Sequence, residues 1–159
     1  MFFQDVTQSI GGTPLVLLNK VTNESSHRIA VKLEGLQPCG SIKDRIALSI
    51  IKDAEEKGLI VSGQSTLVEA TSGNTGIGLT YIATVKGYKV KIVMPENMSE
   101  ERKILFRYLG AELILTSEAG GMAEAVAKAE ELSKDSNSYY CRQFENPANI
   151  RAHMETTGP

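Results

Sequence analysis

Lys43 stands in the stretch Gln-Pro-Cys-Gly-Ser-Ile-Lys-Asp-Arg-Ile-Ala (37–47), where a loop feeds a helical pattern. Its place in the first turn runs against a local rule. Helix N-termini carry partial positive charge and unpaired N–H donors, so the first turn favours Asp or Glu and disfavours a cation. With Ser41 as N-cap, Asp44 completes a Ser-x-x-Asp capping pattern and Lys43 takes the second helical position. There the helix terminus and partial burial disfavour the ammonium form, leaving an amine better able to attack a carbonyl carbon. A surface lysine stretching into water is the ordinary alternative, and a second motif weighs against it.

That motif is Thr-Ser-Gly-Asn-Thr-Gly-Ile-Gly (71–78), which packs small residues and hydroxyls against the start of another helix. Backbone amides and side-chain donors there can converge on a carboxylate or phosphate. A tight connection with glycines for packing is the bland alternative. Gly73, Gly76 and Gly78 give GxxGxG rather than the GxGxxG of a dinucleotide fold, and residues 35–43 lack the GK[ST] ending of a P-loop. Glu96 follows a strand as a ribose-binding acid would, but sits behind Pro95, so a nicotinamide enzyme is a weak runner-up. An activated lysine beside an anion cradle looks like a Schiff-base cofactor site.

The elements that must position these groups alternate. Ile29 to Glu34 reads as a short strand, Ser41 to Lys57 as a helix with Ile42, Ile46 and Ile50 on one face, and Gly58 as its stop. Thr66 to Ala70 is a second strand, followed by a helix to about Lys86. Lys89 to Met94 is a third strand, Ser99 caps a helix running to Gly110, and Glu112 to Thr116 is a fourth strand. Gly121 to Ser133 is helical with Met122, Val126 and Ala129 on one face. A last strand near Tyr139 to Phe144 leads to a helix beginning around Pro147. The order predicts an α/β fold, a parallel twisted sheet with helices on both faces, in which ligands bind at the carboxyl ends of strands.

Composition narrows the class of function. The 159 residues suit one core, and 42% hydrophobic with 23% charged residues is globular. A formal charge of −2 argues against nucleic acid and acidic membrane surfaces as partners. Cys39 and Cys141 are too far apart for a CxxC pair, and His27 and His153 do not complete a zinc constellation, so no metal site is expected. Each thiol reads as a small hydrophobe, in keeping with a reducing compartment. Neither a signal peptide nor an apolar run of membrane-spanning length is seen, and the expected location is the cytoplasm, or a reducing organelle after removal of a transit peptide.

Ordered motifs then carry a resemblance. GSIKDRIA (40–47), EATSGNTGIGL (69–79), MPENMS (94–99), GAELILT (110–116) and QFENPAN (143–149) closely resemble the cysteine synthase family, O-acetylserine (thiol)-lyases of the fold-type II pyridoxal phosphate class. The likeness runs from IGGTPLV (10–16) to HMETTGP (153–159). It implies that Lys43 carries pyridoxal 5′-phosphate as a Schiff base and removes the substrate's α-proton, and that Asn74 hydrogen-bonds the cofactor's ring hydroxyl. Thr71, Ser72, Gly73, Thr75 and Gln143 would hold the substrate α-carboxylate. The implied reaction is β-replacement of O-acetyl-L-serine with sulfide, giving L-cysteine and acetate.

The resemblance also implies a homodimer, and a serine acetyltransferase C-terminal peptide as a possible partner. It divides the chain into 1–28, a segment that packs on a second domain; 29–146, the α/β domain carrying the lysine; and 147–159, the start of the second domain. Gln37 and Cys39 are mild variants of the family pattern. Family members continue past the point matching Pro159, with a Gly/Thr-rich phosphate loop and a hydroxyl at the pyridine nitrogen, and little or no turnover is therefore expected of the isolated chain. Phe2, Phe3 and Leu15 to Leu18 would form an exposed apolar patch. The alternatives are a non-catalytic cysteine-synthase-like domain acting as a binding or regulatory partner, and a cystathionine β-synthase-like enzyme.

Overall fold

Thr66–Ala70 and Lys89–Pro95 are the most deeply buried strands of the molecule, and they form the centre of its main sheet. The computed structural model describes residues 2–20 and 27–159; within the expected 1–28 segment, residues 1 and 21–26 lie outside the described residues. In chain order the elements are β1 (Leu15–Leu17), β2 (Ala30–Lys32), α1 (Lys43–Glu56), β3 (Thr66–Ala70), α2 (Asn74–Val85), β4 (Lys89–Pro95) and α3 (Glu100–Tyr108). They are followed by β5 (Glu112–Thr116), α4 (Gly121–Leu132), β6 (Ser138–Tyr140) and α5 (Pro147–Ala152). Short 3₁₀ turns at Val6–Ser9 and Glu34–Leu36 and a π turn at His153–Thr157 complete them.

The main sheet runs β5-β4-β3-β6, every pair parallel. Gly58 and Gly87 sit at φ +65° and +81°, the left-handed conformation that terminates α1 and α2. On one face, α1 packs Ala47, Ile50, Ile51 and Ala54 with Leu79 and Ile82 of α2, Phe106 of α3, and Leu67 and Ile92 of the sheet. Each isoleucine so buried is worth about 1.5–3 kcal/mol. Ala125 and Ala129 of α4 cover Val68, Ala70 and Val93 on the other face. The sheet is thus clothed on both sides.

Winding from β3 to β4 to β5 proceeds in one direction, and the connection through α4 then returns to place β6 on the other side of β3. This reversal, with helices on opposite faces, opens a crevice at the carboxyl ends of β3 and β6.

Three expectations are corrected. Ile29 to Glu34 does not begin the parallel sheet: β2 pairs antiparallel with β1 in a separate two-stranded sheet. Its alternating pattern has one apolar side only, whereas a parallel strand buried on both faces needs a nearly continuous apolar run. The last strand stops at Tyr140 rather than near Phe144, because Arg142 turns the chain through φ +49°. On α4 the core face is Ala125 and Ala129, while Met122 and Val126 are partly exposed. The apolar patch at Phe2 and Leu15 to Leu17 is exposed as expected.

Candidate active site

β3 delivers the anion turn. Thr71 still bonds to β4 through its N–H to Val93 O at 3.0 Å, and its Oγ1 accepts the Gly73 N–H at 3.1 Å. Gly73 is the N-cap of α2 in an extended conformation. Having no side chain, it leaves the orphan N–H groups of the first turn available to an anion. Gly76 and Gly78 serve packing. A Cβ on Gly76 would lie 2.7 Å from Thr71 Cγ2 and 2.9 Å from the Phe106 ring, and one on Gly78 would lie 3.2 Å from Ala47 Cβ and 3.3 Å from the Lys43 carbonyl oxygen.

β6 delivers the opposite wall. Thr75 Oγ1 donates to Gln143 Oε1 at 2.5 Å, and Asn149 Nδ2 donates to Gln143 O at 2.7 Å. The Gln143 N–H donates to Glu69 Oε2 at 3.2 Å. Thr75, Gln143 and Glu69 are all buried. Burial pushes the Glu69 carboxyl up to about 7, against the pull of bonds from Gln143 and the Ala70 backbone. Arg142 lies over the Tyr140 ring with 5.0 Å to its centroid and pairs with Glu145 at 3.1 Å and Glu130 at 3.7 Å. Between the walls is a cleft of about 470 Å³ whose lining includes Thr71, Ser72, Gly73, Gln143, Met122 and Phe144.

The first turn of α1, which carries Lys43, packs against Gly78 of α2. Lys43 is the first residue of α1, half-buried, and makes no ion pair among the described residues. The capping differs from the expected box. Ser41 Oγ accepts the Lys43 N–H at 3.2 Å, but the Asp44 carboxylate reaches past Ser41 to the Cys39 N–H at 2.6 Å. Lys43 therefore occupies the first helical position, not the second, because the chain from Gly40 to Ile42 turns before the helix begins.

Arg45 anchors this head. Its Nε and Nη2 grip Glu34 at 2.8 Å each, and Nη2 also reaches Thr13 Oγ1 at 2.9 Å. Gln37 bonds Glu34 and the Gly11 N–H, both at 3.0 Å. The Arg45 guanidinium holds the Glu34 carboxyl down at about 2. Burial and the neighbouring Asp44 push the Cys39 thiol up to about 12, and Cys141 is fully buried, so neither thiol supplies a thiolate.

Of the residues expected from the sequence, Thr71, Ser72, Gly73 and Gln143 line one cleft and Thr75 bonds Gln143. Neither Lys43 nor Asn74 is in that cleft's lining: Asn74 follows the cleft residue Gly73, and the Lys43 backbone packs against Gly78 further along α2. Asn74 is exposed, one helical turn before the Gly78 that packs on Lys43. Pyridoxal phosphate fits this donor set: an amine without an ion-pair partner, an exposed amide at a neighbouring helix head, and a close approach of the two helices that a Cβ at Gly78 would disturb.

Sequence reasoning missed Glu69, Arg142 and the lining role of Met122. Glu69 had a signal, a carboxyl in the middle of a buried strand. Arg142 had none, since an arginine at positive φ carries no mark in the sequence.

A family model described as pyridoxal-phosphate dependent enzyme matches residues 6–159. A curated relative named cysteine synthase, from a Flavobacterium species, is 53% identical over 158 residues, covering 99% of this chain and 51% of its own. Among solved structures, a hydrogen sulfide-producing enzyme from Fusobacterium nucleatum superposes with a TM-score of 0.90 at 47% identity, over 99% of this chain and 51% of that one. A cysteine synthase from Entamoeba histolytica gives 0.90 at 40% identity, over 96% and 47%. The chain spans about half the length of the curated relatives it matches.

Proposed function

The chain belongs to the pyridoxal-phosphate-dependent enzyme family, and from that membership we propose that it serves β-replacement on an O-acylated serine, exchanging the acetate of O-acetyl-L-serine for sulfide to give L-cysteine. One observation supports the reading: Thr71, Ser72, Gly73 and Gln143 line one cleft at the switch point of the sheet, Thr75 bonds Gln143, and the first turn of α1, with Lys43, packs against Gly78 of the helix that begins there. The cysteine synthase names of relatives near 50% identity favour an enzyme over a purely binding domain, and sulfide as acceptor over a larger thiol.

In this reading Lys43 is the point of covalent attachment for the cofactor, and its amine, once released, moves the substrate's α-proton. Asn74 hydrogen-bonds the ring hydroxyl of the bound group. Thr71, Ser72, Gly73, Thr75 and Gln143 hold the α-carboxylate, whose charge is met by the first-turn N–H groups of α2. The cofactor, when bound, supplies an electron sink. The Cβ–O bond to acetate breaks, a Cβ–S bond to sulfide forms, and acetate carries away the electron pair. Residues 29–146 then form the lysine-bearing domain, 1–28 a segment that packs on a second domain, and 147–159 the start of that second domain. A homodimer, a serine acetyltransferase C-terminal peptide as partner and a cytoplasmic or reducing organellar location belong to the same reading.

The test is to add pyridoxal phosphate to the purified chain, record the visible spectrum, reduce with borohydride and map the labelled peptide, in wild type and Lys43→Ala. A visible band lost in the variant, with label on Lys43, is expected. Equal labelling of the variant, or label at another lysine, overturns the assignment.

A further inference from the structure

Glu69 sits under the cradle in a strand whose other side chains are apolar or small, and a mechanism of attachment and proton transfer by Lys43 leaves it without a task. It is 2% exposed, and its Oε2 accepts the backbone N–H of Gln143 at 3.2 Å. The Gln143 side chain is committed on its oxygen side to Thr75, and its amide also bonds toward the Glu69 carboxyl. Glu69 thus holds the one cradle residue contributed by β6 and its loop, and it borders the same cleft as Thr71, Ser72 and Gly73. A carboxylate held by those residues would lie close to a second, buried carboxyl, and two such groups cannot both ionise cheaply.

We propose that Glu69 is a positioning residue for Gln143 and that it takes up a proton when a substrate carboxylate enters the cradle. The inference rests on the carboxylate reading of the cradle given above. No cation bonds Glu69 to keep it charged: among the described residues its hydrogen-bond partners are Gln143 and the Ala70 backbone. The groups that face it are Tyr140 and Cys141 from β6 and its loop, Glu130 of α4, and Arg142 and Glu145, which pair with each other. α2 brings no charged side chain in its first turn, and α1, packed on α2, brings Lys43 and Asp44. Burial places the Tyr140 hydroxyl at about 12 and Cys141 well above its ordinary value, so neither titrates near neutrality. Glu69, pushed up to about 7, does.

Two measurements decide the proposal. The first is calorimetric titration of L-serine into the chain supplied with pyridoxal phosphate, at several pH values and in buffers of different ionisation enthalpy. Wild type is expected to take up close to one proton more per L-serine above neutrality than Glu69→Gln does, the comparison cancelling the proton that the ligand's own ammonium releases, and its affinity is expected to fall about tenfold per pH unit relative to that variant. The same proton count and the same pH profile in wild type and Glu69→Gln overturn it. The second uses wild type without ligand: the ¹⁵N and ¹H shifts of the Gln143 backbone amide are expected to titrate with a midpoint near that of Glu69. A Gln143 amide that does not move between pH 5 and 9 also overturns it. Failure of L-serine to bind wild type at all, with the amide titrating, would sink the carboxylate reading and the proton uptake that depends on it, while leaving Glu69 as the support of Gln143.

Discussion

Replacing Arg45 by Leu removes the one cation that, among the described residues, is ion-paired with Glu34, at a place largely shielded from water. The Arg45 side chain is 2% exposed and that of Glu34 14%. The guanidinium makes two parallel bonds to the carboxylate, and Thr13 and Gln37 each donate a second bond to one of the same two oxygens. Breaking a buried pair by removing one partner costs about 3–5 kcal/mol, because the other charge stays buried. A second estimate comes from titration. A carboxyl held at about 2 instead of 4.5 contributes about 3 kcal/mol at neutral pH. The sign follows from the lowered value: the contribution is complete above pH 4.5, where the unfolded chain is also ionised, and is lost as pH falls toward 2. Urea denaturation of wild type, Arg45→Leu, Glu34→Gln and the double variant between pH 7 and 2 measures both. Arg45→Leu is expected to lose about 3 kcal/mol at pH 7, the double variant is expected to lose less than the two singles together, and wild type alone is expected to lose the pair's contribution below pH 4.5. A loss under about 1 kcal/mol, or one that vanishes in high salt, would show the pair to behave as a surface bridge and refute the reasoning.

Gly76→Ala is expected to cost about 1–3 kcal/mol by overpacking, since its Cβ would meet Thr71 and the buried Phe106 ring at under 3 Å; thermal denaturation checks this, and an unchanged midpoint would mean that α2 slides freely on the sheet. Asp44→Asn keeps an acceptor for the Cys39 N–H while removing a charge that burial opposes, and is expected to be neutral or stabilising at pH 7. Asp44→Ala leaves that N–H unpaired and is expected to cost about 1–3 kcal/mol, so urea denaturation finding the alanine variant the more stable of the two would contradict the role given to Asp44.

The alternation of strands and helices was legible because each element carries its own period and stop signals, Gly58 and Gly87 among them. The partner of Ile29 to Glu34 was not, since an alternating strand states which side is apolar but not what lies beside it. The cradle was readable where its parts are contiguous, from Thr71 to Thr75, and readable at Gln143 only through resemblance. The hydrogen bond joining Thr75 to Gln143 spans 68 residues, and it exists because β6 returns to the far side of β3. No local pattern encodes that return. The capping at Lys43 failed by one position for a similar reason: the Asp44 carboxylate has two nearby N–H donors to choose between, and the choice of Cys39 over Ser41 depends on how the loop folds back.

The failed nucleotide fingerprint becomes informative once the glycines are placed. In a dinucleotide fold their spacing lets the backbone approach a pyrophosphate. Here only Gly73 faces the cleft, as an N-cap without a side chain, while Gly76 admits Thr71 and Phe106, and Gly78 admits the first turn of α1. On the proposed reading, GxxGxG serves two contacts at once, a substrate carboxylate on one side of α2's head and the lysine-bearing helix on the other. Bringing those two together requires that no Cβ intervene at Gly78. A substitution there should act on the seating of α1's first turn, and hence on the proposed cofactor capture by Lys43, before it acts on the cradle, because Thr71 is held by β4 and Gln143 by Glu69 rather than by α1.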